Sequence, residues 1–400
     1  MSSGIPRRDF LKNSVAWAVG ASTGHTNFLR AGEAAAPAVE ADVEWRNKQP
    51  EMRYRRLGRT GFMISEIVCG GDPISPTNNR HVELAIEMGL NYLDTAPAYG
   101  DGQSEMGYSG VIQGSKRDRA FINTKVSPFA ASRFEAYQRM FAGLDRNAQA
   151  AILREANEDI EQRRVMAPDY FGNYFNGQIR QVEQAALANA MEKKYGTQID
   201  RPRVYVETIV RSLEGSLQRL KTDHVDLMMC PHGAASAAEV RIPEIYEAFE
   251  KLRKQGKVRF LGVSAHNDPA GVLKAAMQTG VYSLAMVACN ILNWSYVAPV
   301  VEEAYNRDFG VIAMKTAQVI FEPDRSTKPV PERAALLDQT IPGELGLHQK
   351  AYRFVLNNPH LSAVISNMVD EKQVRENLLV ARAWEHLPPP GWGSGSCGGP

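Results

Sequence analysis

The stretch "VETIVRSLEGSLQRLKTDHVDLMMC" (residues 206–230) contains the repeating unit from which the fold can be predicted. Apolar residues in its first fifteen positions (206–220) recur with a spacing near 3.6, which is typical of an amphipathic helix. The run "HVDLMMC" (224–230) is then mostly apolar, as a strand buried on both faces must be. A helix that leads directly into such a strand indicates an α/β fold with a parallel sheet.

The same alternation extends along most of the chain. The other strand-like runs are "SEIVCGG" (65–71), "NYLDTA" (91–96), "AFINTKV" (120–126), "VRFLGVS" (258–264), "SLAMVAC" (283–289), "GVIAMKT" (310–316) and "LSAVISN" (361–367). Helical patterns separate them, for example at 79–89, 242–256 and 269–280. Eight strands alternating with helices predict an α/β fold of the (β/α)8 TIM-barrel type. An open doubly wound sheet is the alternative, but no GxGxxG motif follows the first strand.

Two segments exceed this repeating unit. The run "MRYRRLGRTGFMISEIV" (52–68) predicts an N-terminal β-hairpin that closes the bottom of the barrel. The stretch 127–200, after strand 3, is too long for a βα loop and predicts a helical insertion. It contains "DYFGNYFNG" (169–177) and should emerge on the C-terminal face, where barrel active sites lie. We interpret it as a lid or substrate wall with Tyr170 and Tyr174 as substrate contacts, or else as a packing or dimerisation element.

The two ends of the chain differ in composition from the rest. "IPRRDFLK" (5–12), followed by a mildly apolar run, looks like a twin-arginine export signal. It predicts the twin-arginine translocase as a partner and a periplasmic or other extracytoplasmic location. A disordered basic tail is the alternative. "LPPPGWGSGSCGGP" (387–400) indicates a disordered tail. We therefore predict a signal and linker at 1–50, the barrel at 51–386 with its insertion at 127–200, and the tail at 387–400.

Composition excludes several functional classes. The 400 residues are 44% hydrophobic and 23% charged, with a net charge of +1, which is typical of a globular protein and indicates no nucleic-acid surface. No apolar run approaches the roughly 20 residues of a membrane-spanning helix. The four cysteines show no CxxC spacing, and three of them lie in strand-like runs. We therefore expect no metal site.

Polar residues stand where consecutive strands end. Asp94 ends strand 2, Lys125 ends strand 3, and His232 follows strand 4. Tyr99 lies on the loop after strand 2, in "NYLDTAPAYGDGQSE" (91–105). Because the C-terminal ends of barrel strands converge, we expect these four side chains to meet at one mouth.

These residue types suit the reduction of a carbonyl group. A carbonyl that accepts a hydride becomes an alkoxide and needs a proton, which a tyrosine can donate. A free tyrosine has a pKa of about 10, and the ammonium of Lys125 is expected to lower the pKa of Tyr99. Asp94 would keep Lys125 charged and oriented, and His232 would hydrogen-bond the carbonyl oxygen.

Several longer motifs resemble those of the aldo-keto reductase family. They are "LGRTGFMISEIVCGG", "GLNYLDTAPAYGDGQSE", "INTKV", "VETIVRSLEGSLQRLKTDHVDL", "GKVRFLGVSAHN", "VIAMK" and "VRENL", and the resemblance runs from about residue 53 to 382. It implies a (β/α)8 barrel that reduces aldehydes or ketones, or oxidises alcohols, with NADP or NAD. The family's catalytic tetrad maps onto Asp94, Tyr99, Lys125 and His232. His232 lies one position later than the family's histidine, and Pro231 occupies the expected place.

The cofactor side of the resemblance is less complete. The resemblance implies cofactor contacts from Ser264, Asn290, Lys315, Glu376 and Asn377. Met286 and Cys289, however, stand where the family has a glutamine and a tyrosine against the nicotinamide. Asp370 lies where an anion's partner is expected, and its charge would repel a 2′-phosphate.

Three functional interpretations remain open at this point. The first is an oxidoreductase that acts on a small carbonyl substrate with NADP or NAD, and the matching tetrad favours it. The second is acid–base chemistry on a sugar or carbonyl compound without a hydride carrier. The third is a non-catalytic barrel that binds a ligand or partner.

Overall fold

The computed structural model describes residues 43–323 and 327–382. The predicted export motif at 5–12 and the predicted tail at 387–400 lie outside the described residues, and the domain boundaries at 50 and 386 stay predictions. Within the two described ranges, none of the helices combines the length and the hydropathy of a membrane span.

Eight parallel strands form a closed barrel in chain order. The strands of the described residues are β1 Glu44–Trp45, β2 Tyr54–Arg56, β3 Phe62–Ser65, β4 Ile67–Gly70, β5 Tyr92–Asp94, β6 Phe121–Lys125, β7 Val225–Met229, β8 Val258–Ala265, β9 Leu284–Ala288, β10 Gly310–Met314 and β11 Ala363–Ser366. Each strand from β4 to β11 pairs in parallel with the next, and β11 pairs with β4. The predicted (β/α)8 TIM barrel is thus confirmed, and the open doubly wound sheet is wrong.

Helices alternate with these strands and cover the outside of the barrel. The α-helices are α1 Arg80–Glu87, α2 Gln103–Val111, α3 Pro128–Ala142, α4 Arg146–Arg163, α5 Gln178–Tyr195, α6 Thr208–Leu220, α7 Pro243–Lys254, α8 Pro269–Thr279, α9 Trp294–Asn306, α10 Pro331–Thr340, α11 Leu347–Leu356 and α12 Glu371–Leu378. A π-helix occupies Pro202–Glu207, and short 3-10 helices occupy Gly58–Thr60, Gly114–Arg119, Gly196–Gln198, Glu239–Arg241, Gln318–Ile320 and Leu379–Ala381. Their apolar faces pack on the strands in one large core.

The N-terminal hairpin fills the bottom of the barrel, as predicted. β2 and β3 pair antiparallel, and Phe62 of β3 is fully buried in the cluster of side chains inside the barrel. The Phe62 ring stacks on that of Phe121 with a centroid distance of 4.2 Å. Burying such aromatic rings makes a large favourable contribution to stability. Because the hairpin fills the bottom of the barrel, the C-terminal mouth is the open end.

An ionic network closes the floor of the barrel around Asp226 of β7. This buried carboxylate lies 2.9 Å from guanidinium nitrogens of Arg46 and Arg117 and 3.1 Å from one of Arg259. The Ile122 N–H donates to it at 2.9 Å. Burial acts to raise the pKa of Asp226, but Arg117 and Arg46 outweigh burial and hold that pKa below its ordinary value. The network ties the first described residues to β6, β7 and β8 at the end away from the mouth.

The stretch 127–200 forms the predicted helical insertion after the third barrel strand. Helices α3, α4 and α5 pack around a small core of their own that includes Tyr137, Ile152 and Met191. Asp145 caps α4 by accepting the Asn147 and Ala148 N–H groups. Residues 164–177, which connect α4 to α5 and which we call the cover segment, lie over the C-terminal ends of β8 to β10. The insertion therefore forms part of the mouth.

Candidate active site

Three predicted catalytic side chains meet at the C-terminal mouth of the barrel. Lys125 Nζ lies 2.7 and 2.6 Å from the two carboxylate oxygens of Asp94, and it donates to Tyr99 Oη at 3.0 Å. Asp94 and Lys125 end neighbouring paired strands, which is why their side chains converge. Thr95 O accepts a further hydrogen bond from Lys125, and Asn123 donates to Asp94 at 2.6 Å. The ammonium is therefore held in one position beside the phenol.

Burial determines the protonation of this cluster. It raises the pKa of Tyr99, and Lys125 opposes that rise without cancelling it. The pKa of Tyr99 is thus above its ordinary value, and the expectation of a lowered pKa is wrong because burial outweighs the ammonium. Burial also acts to lower the pKa of Lys125, but Asp94 and Tyr99 hold it above its ordinary value. At neutral pH the phenol keeps its proton while the lysine stays charged.

His232 reaches the same site despite its displaced position in the sequence. Its ring meets the Tyr99 ring edge-on with a centroid distance of 5.9 Å. Its Nδ1 lies 2.8 Å from the hydroxyl oxygen of Ser127, which also accepts the Ala98 N–H at 3.3 Å. Burial, Lys125 and Lys315 lower the pKa of His232 to about 3. The imidazole is therefore neutral. Because the Ser127 hydroxyl oxygen already accepts from Ala98, we assign this hydroxyl as the donor to Nδ1, which leaves the His232 proton on Nε2.

A cavity of about 830 Å³ opens at this cluster. Asp94, Tyr99 and His232 are among the residues that line it. Its lining also includes residues of the insertion, such as Gln181 and Ala185, and residues that follow β10 and β11, such as Lys315 and Asn367. This volume lies in the range of small-molecule and cofactor pockets, which is about 300–1,000 Å³. In the described residues no group of three histidine, cysteine or acidic side chains is placed to hold a metal ion.

The predicted cofactor contacts do not all face this cavity. Lys315 lines it. Ser264 accepts the Gly233 N–H at 3.1 Å, and Asn377 donates to Ser366 at 3.0 Å, so both are engaged within the protein. Asn290 is fully buried, and Glu376 lies on the exposed side of α12. The strand ends were predicted correctly from the sequence, but the direction in which each side chain points was not.

The cover segment binds the strand ends with its two predicted substrate tyrosines. Tyr174 lines the cavity and accepts a hydrogen bond from Asn290 Nδ2 at 2.9 Å. The amide of Gln318 donates to the Tyr174 carbonyl oxygen. Tyr170 is turned away from the cavity and donates to Asp268 at 3.0 Å. Tyr174 is thus placed to touch a ligand, whereas Tyr170 anchors the segment.

The cavity residues that were not predicted from the sequence include His266, Asp72 and Gln181. His266 directly follows β8, in the position where "SAHN" departs from the family pattern. Asp72 follows β4, and its charge acts to raise the pKa of Asp94. Gln181 projects from α5 of the insertion. His266 and Asp72 could have been predicted, because residues that follow barrel strands line the mouth. Nothing in the sequence of the insertion singled out Gln181.

The closed parallel barrel and the polar cluster at its mouth define the protein as a (β/α)8 barrel with a candidate active site at the C-terminal ends of its strands. The model of the aldo/keto reductase family matches residues 71–319, and the chain belongs to that family. It is similar to the uncharacterized oxidoreductase YqkF of Bacillus subtilis, with 23% identity over 357 residues, 83% of this chain and 92% of that relative. It is also similar to the L-galactose dehydrogenase of Arabidopsis thaliana, with 22% identity over 192 residues, 45% of this chain and 60% of that relative.

Solved structures show the same fold. The holo form of the aldo-keto reductase AKR11C1 from Bacillus halodurans has a TM-score of 0.53 and 19% identity, covering 84% of this chain and 92% of that one. The aldo/keto reductase of Klebsiella pneumoniae, solved in complex with NADP and acetate, has a TM-score of 0.50 and 17% identity, covering 82% and 90%. At these identities the likeness establishes the barrel alone.

Proposed function

We propose that this protein reduces an aldehyde or ketone, or oxidises the corresponding alcohol, with NADP or NAD and with Tyr99 as the proton donor. The observation that carries the proposal is the 3.0 Å contact between Lys125 Nζ and the hydroxyl oxygen of Tyr99, whose side chain lines the cavity. Membership of the aldo/keto reductase family and relatives named oxidoreductases support it.

Each residue of the cluster has a separate role in this mechanism. The neutral His232 donates from Nε2 to the carbonyl oxygen and fixes its position. When the nicotinamide cofactor is bound, it supplies the hydride to the carbonyl carbon. Tyr99 then transfers its proton to the oxygen, and Lys125 stabilises the phenolate that remains. Asp94 keeps Lys125 charged, because both carboxylate oxygens contact its ammonium.

The cavity residues that follow β10 and β11 offer groups that suit a nucleotide. Lys315 offers a cation there, and Asn367 and Gln373 offer amides. At the start of α12, Asp370 accepts the Gln373 N–H at 2.8 Å and so occupies one of the donors that a phosphate would use. Its negative charge disfavours a second phosphate nearby. We therefore infer a preference for NADH over NADPH.

A Tyr99→Phe variant tests the proposal directly. It should lower kcat/KM by about 10²- to 10⁴-fold, since it removes the general acid. Titration with NADH and NADPH, followed by fluorescence, should show nucleotide binding close to that of the wild type. Tyr246→Phe is the matched control, because Tyr246 lies exposed on α7. Wild-type turnover by the Tyr99 variant would contradict the mechanism.

One observation favours the nucleotide-free alternative. The side chains of Asn290 and Gln318 are bound by Tyr174, so part of the nucleotide side is covered by the chain itself. If the folded protein binds neither nucleotide, the same Tyr–Lys–His cluster is left for acid–base chemistry on a sugar or carbonyl compound.

Export by the twin-arginine route is likewise a proposal, and it rests on "IPRRDFLK" (5–12) alone.

A further inference from the structure

We propose that His266 selects carbonyl substrates that carry a hydroxyl group on the neighbouring carbon, that is, 2-hydroxy ketones and 2-hydroxy aldehydes. This inference rests on the proposed function and extends it to the substrate class. It starts from a second imidazole in the wall of the cavity that the tetrad does not use.

His266 stands next to the loop that carries His232. A Cβ atom added to Gly233 would lie 3.6 Å from His266 Cδ2, so the ring packs against the residue that follows His232. The ring of Phe175, from the cover segment, meets the His266 ring edge-on with a centroid distance of 5.4 Å. These contacts fix the His266 ring, and both imidazoles line the cavity that holds Tyr99.

The surroundings of His266 decide which of its nitrogens can act. Its Nδ1 is buried and has no hydrogen-bond partner. An unpaired buried N–H group is costlier and rarer than an unpaired acceptor, so we assign the proton to Nε2. Because the ring lines the cavity while Nδ1 is inaccessible, Nε2 is the nitrogen that a ligand can reach. Burial, together with Lys315 and His232, holds the pKa of His266 well below its ordinary value. His266 therefore offers a neutral N–H donor.

Two neighbouring donors require two acceptor oxygens on the ligand. His232 takes the carbonyl oxygen in the proposed mechanism, so His266 needs an oxygen on the adjacent carbon. A hydroxyl group suits a neutral donor. Arg133, a charged side chain that also lines the cavity, is already paired with Glu192 at 2.7 Å. Gln181 and Gln184 of α5 add uncharged amides to the same wall.

The test uses a pair of ketones that differ in one group. Hydroxyacetone and butanone have the same number of heavy atoms, with a hydroxyl in place of a methyl. We expect His266→Leu to lower the ratio of kcat/KM for hydroxyacetone over butanone by about 2- to 10-fold, the range for one hydrogen bond. His266→Gln, whose amide nitrogen lies near the position of Nε2, should restore most of the ratio. His360→Leu, away from the cavity and stacked on Tyr305, is the control.

A second measurement keeps the inference separate from the proposed function. Long-range 1H–15N spectra of 15N-histidine protein, without nucleotide, should show His266 protonated on Nε2 and shifted by hydroxyacetone more than by butanone. If neither ketone is turned over, the protein does not reduce these two ketones, and the spectra alone decide the inference. The inference is overturned if the ratio of kcat/KM for hydroxyacetone over butanone is unchanged in His266→Leu, or if the proton of His266 lies on Nδ1. It is also overturned if both ketones shift the His266 signals equally, or if the protein prefers pyruvate, which carries a carboxylate on the neighbouring carbon, over hydroxyacetone.

Discussion

The contact between Lys125 and Tyr99 can be tested by replacing Lys125 with methionine. The ammonium lies 3.0 Å from the phenol oxygen, and both groups are buried. At an effective dielectric constant of about 20, unit charges about 4 Å apart interact by about 4 kcal/mol. Without the ammonium, the developing phenolate loses stabilisation of that order. Since about 1.4 kcal/mol corresponds to a tenfold change in rate, kcat/KM should fall about a thousandfold.

The pH dependence of the same variant gives an independent measurement. Lys125 opposes the rise in the pKa of Tyr99 that burial causes, so removing the ammonium raises that pKa further. Alcohol oxidation needs the phenolate as a base, and its kcat/KM therefore rises with pH until Tyr99 is ionised. In Lys125→Met this rise should move to higher pH. The assay is the pH profile of kcat/KM for alcohol oxidation.

Loss of folding must be separated from loss of chemistry. Lys125→Met leaves the buried Asp94 carboxylate without its cation, which we expect to lower the free energy of unfolding by about 3–5 kcal/mol. The double variant Lys125→Met/Asp94→Asn removes both charges and should recover most of that stability without recovering activity. A folded double variant with kcat/KM within threefold of the wild type, and with an unshifted pH profile, would refute the reasoning.

Two further predictions concern the floor of the barrel and the nucleotide. Asp226→Asn should lower the free energy of unfolding in urea at pH 7 by about 3 kcal/mol, since three arginines lose their buried partner. Because the folded pKa of Asp226 lies below its unfolded value near 4, its contribution is present above that value and is lost as pH falls through the folded pKa, so the difference should shrink at pH 3. Equal losses at both pH values would contradict this. Asp370→Ser keeps a cap for α12 but removes an exposed charge, and should raise the affinity for NADPH relative to NADH up to about fivefold by fluorescence titration. An unchanged ratio would remove Asp370 as the cause of any nucleotide preference.

Sequence periodicity was sufficient for the barrel because buried parallel strands are nearly continuous apolar runs. It also placed Asp94 and Lys125 correctly, since the C-terminal ends of all parallel barrel strands lie at the same mouth. The pKa of Tyr99 could not be predicted in the same way. Its direction depends on how completely the ring is buried, and residue types alone do not give that quantity.

The contacts of the cover segment also could not be predicted from the sequence. "DYFGNYFNG" (169–177) has neither a helical nor a strand period, so nothing in it predicts that Tyr174 binds Asn290 while Tyr170 binds Asp268. Those pairings join residues 116 and 98 positions apart. They follow from how the insertion packs on the barrel, which only the complete structure provides.

The ionic floor of the barrel has a consequence for the order in which the chain folds. Arg46 and Asp226 are 180 residues apart, and Glu44 and Arg259 are 215 apart. During synthesis, the N-terminal residues therefore exist long before their partners emerge from the ribosome. Contacts of such long range close large loops and form late. The floor is thus completed only when β8 has been made, and the unfinished barrel exposes unpaired strand edges until β11 pairs with β4.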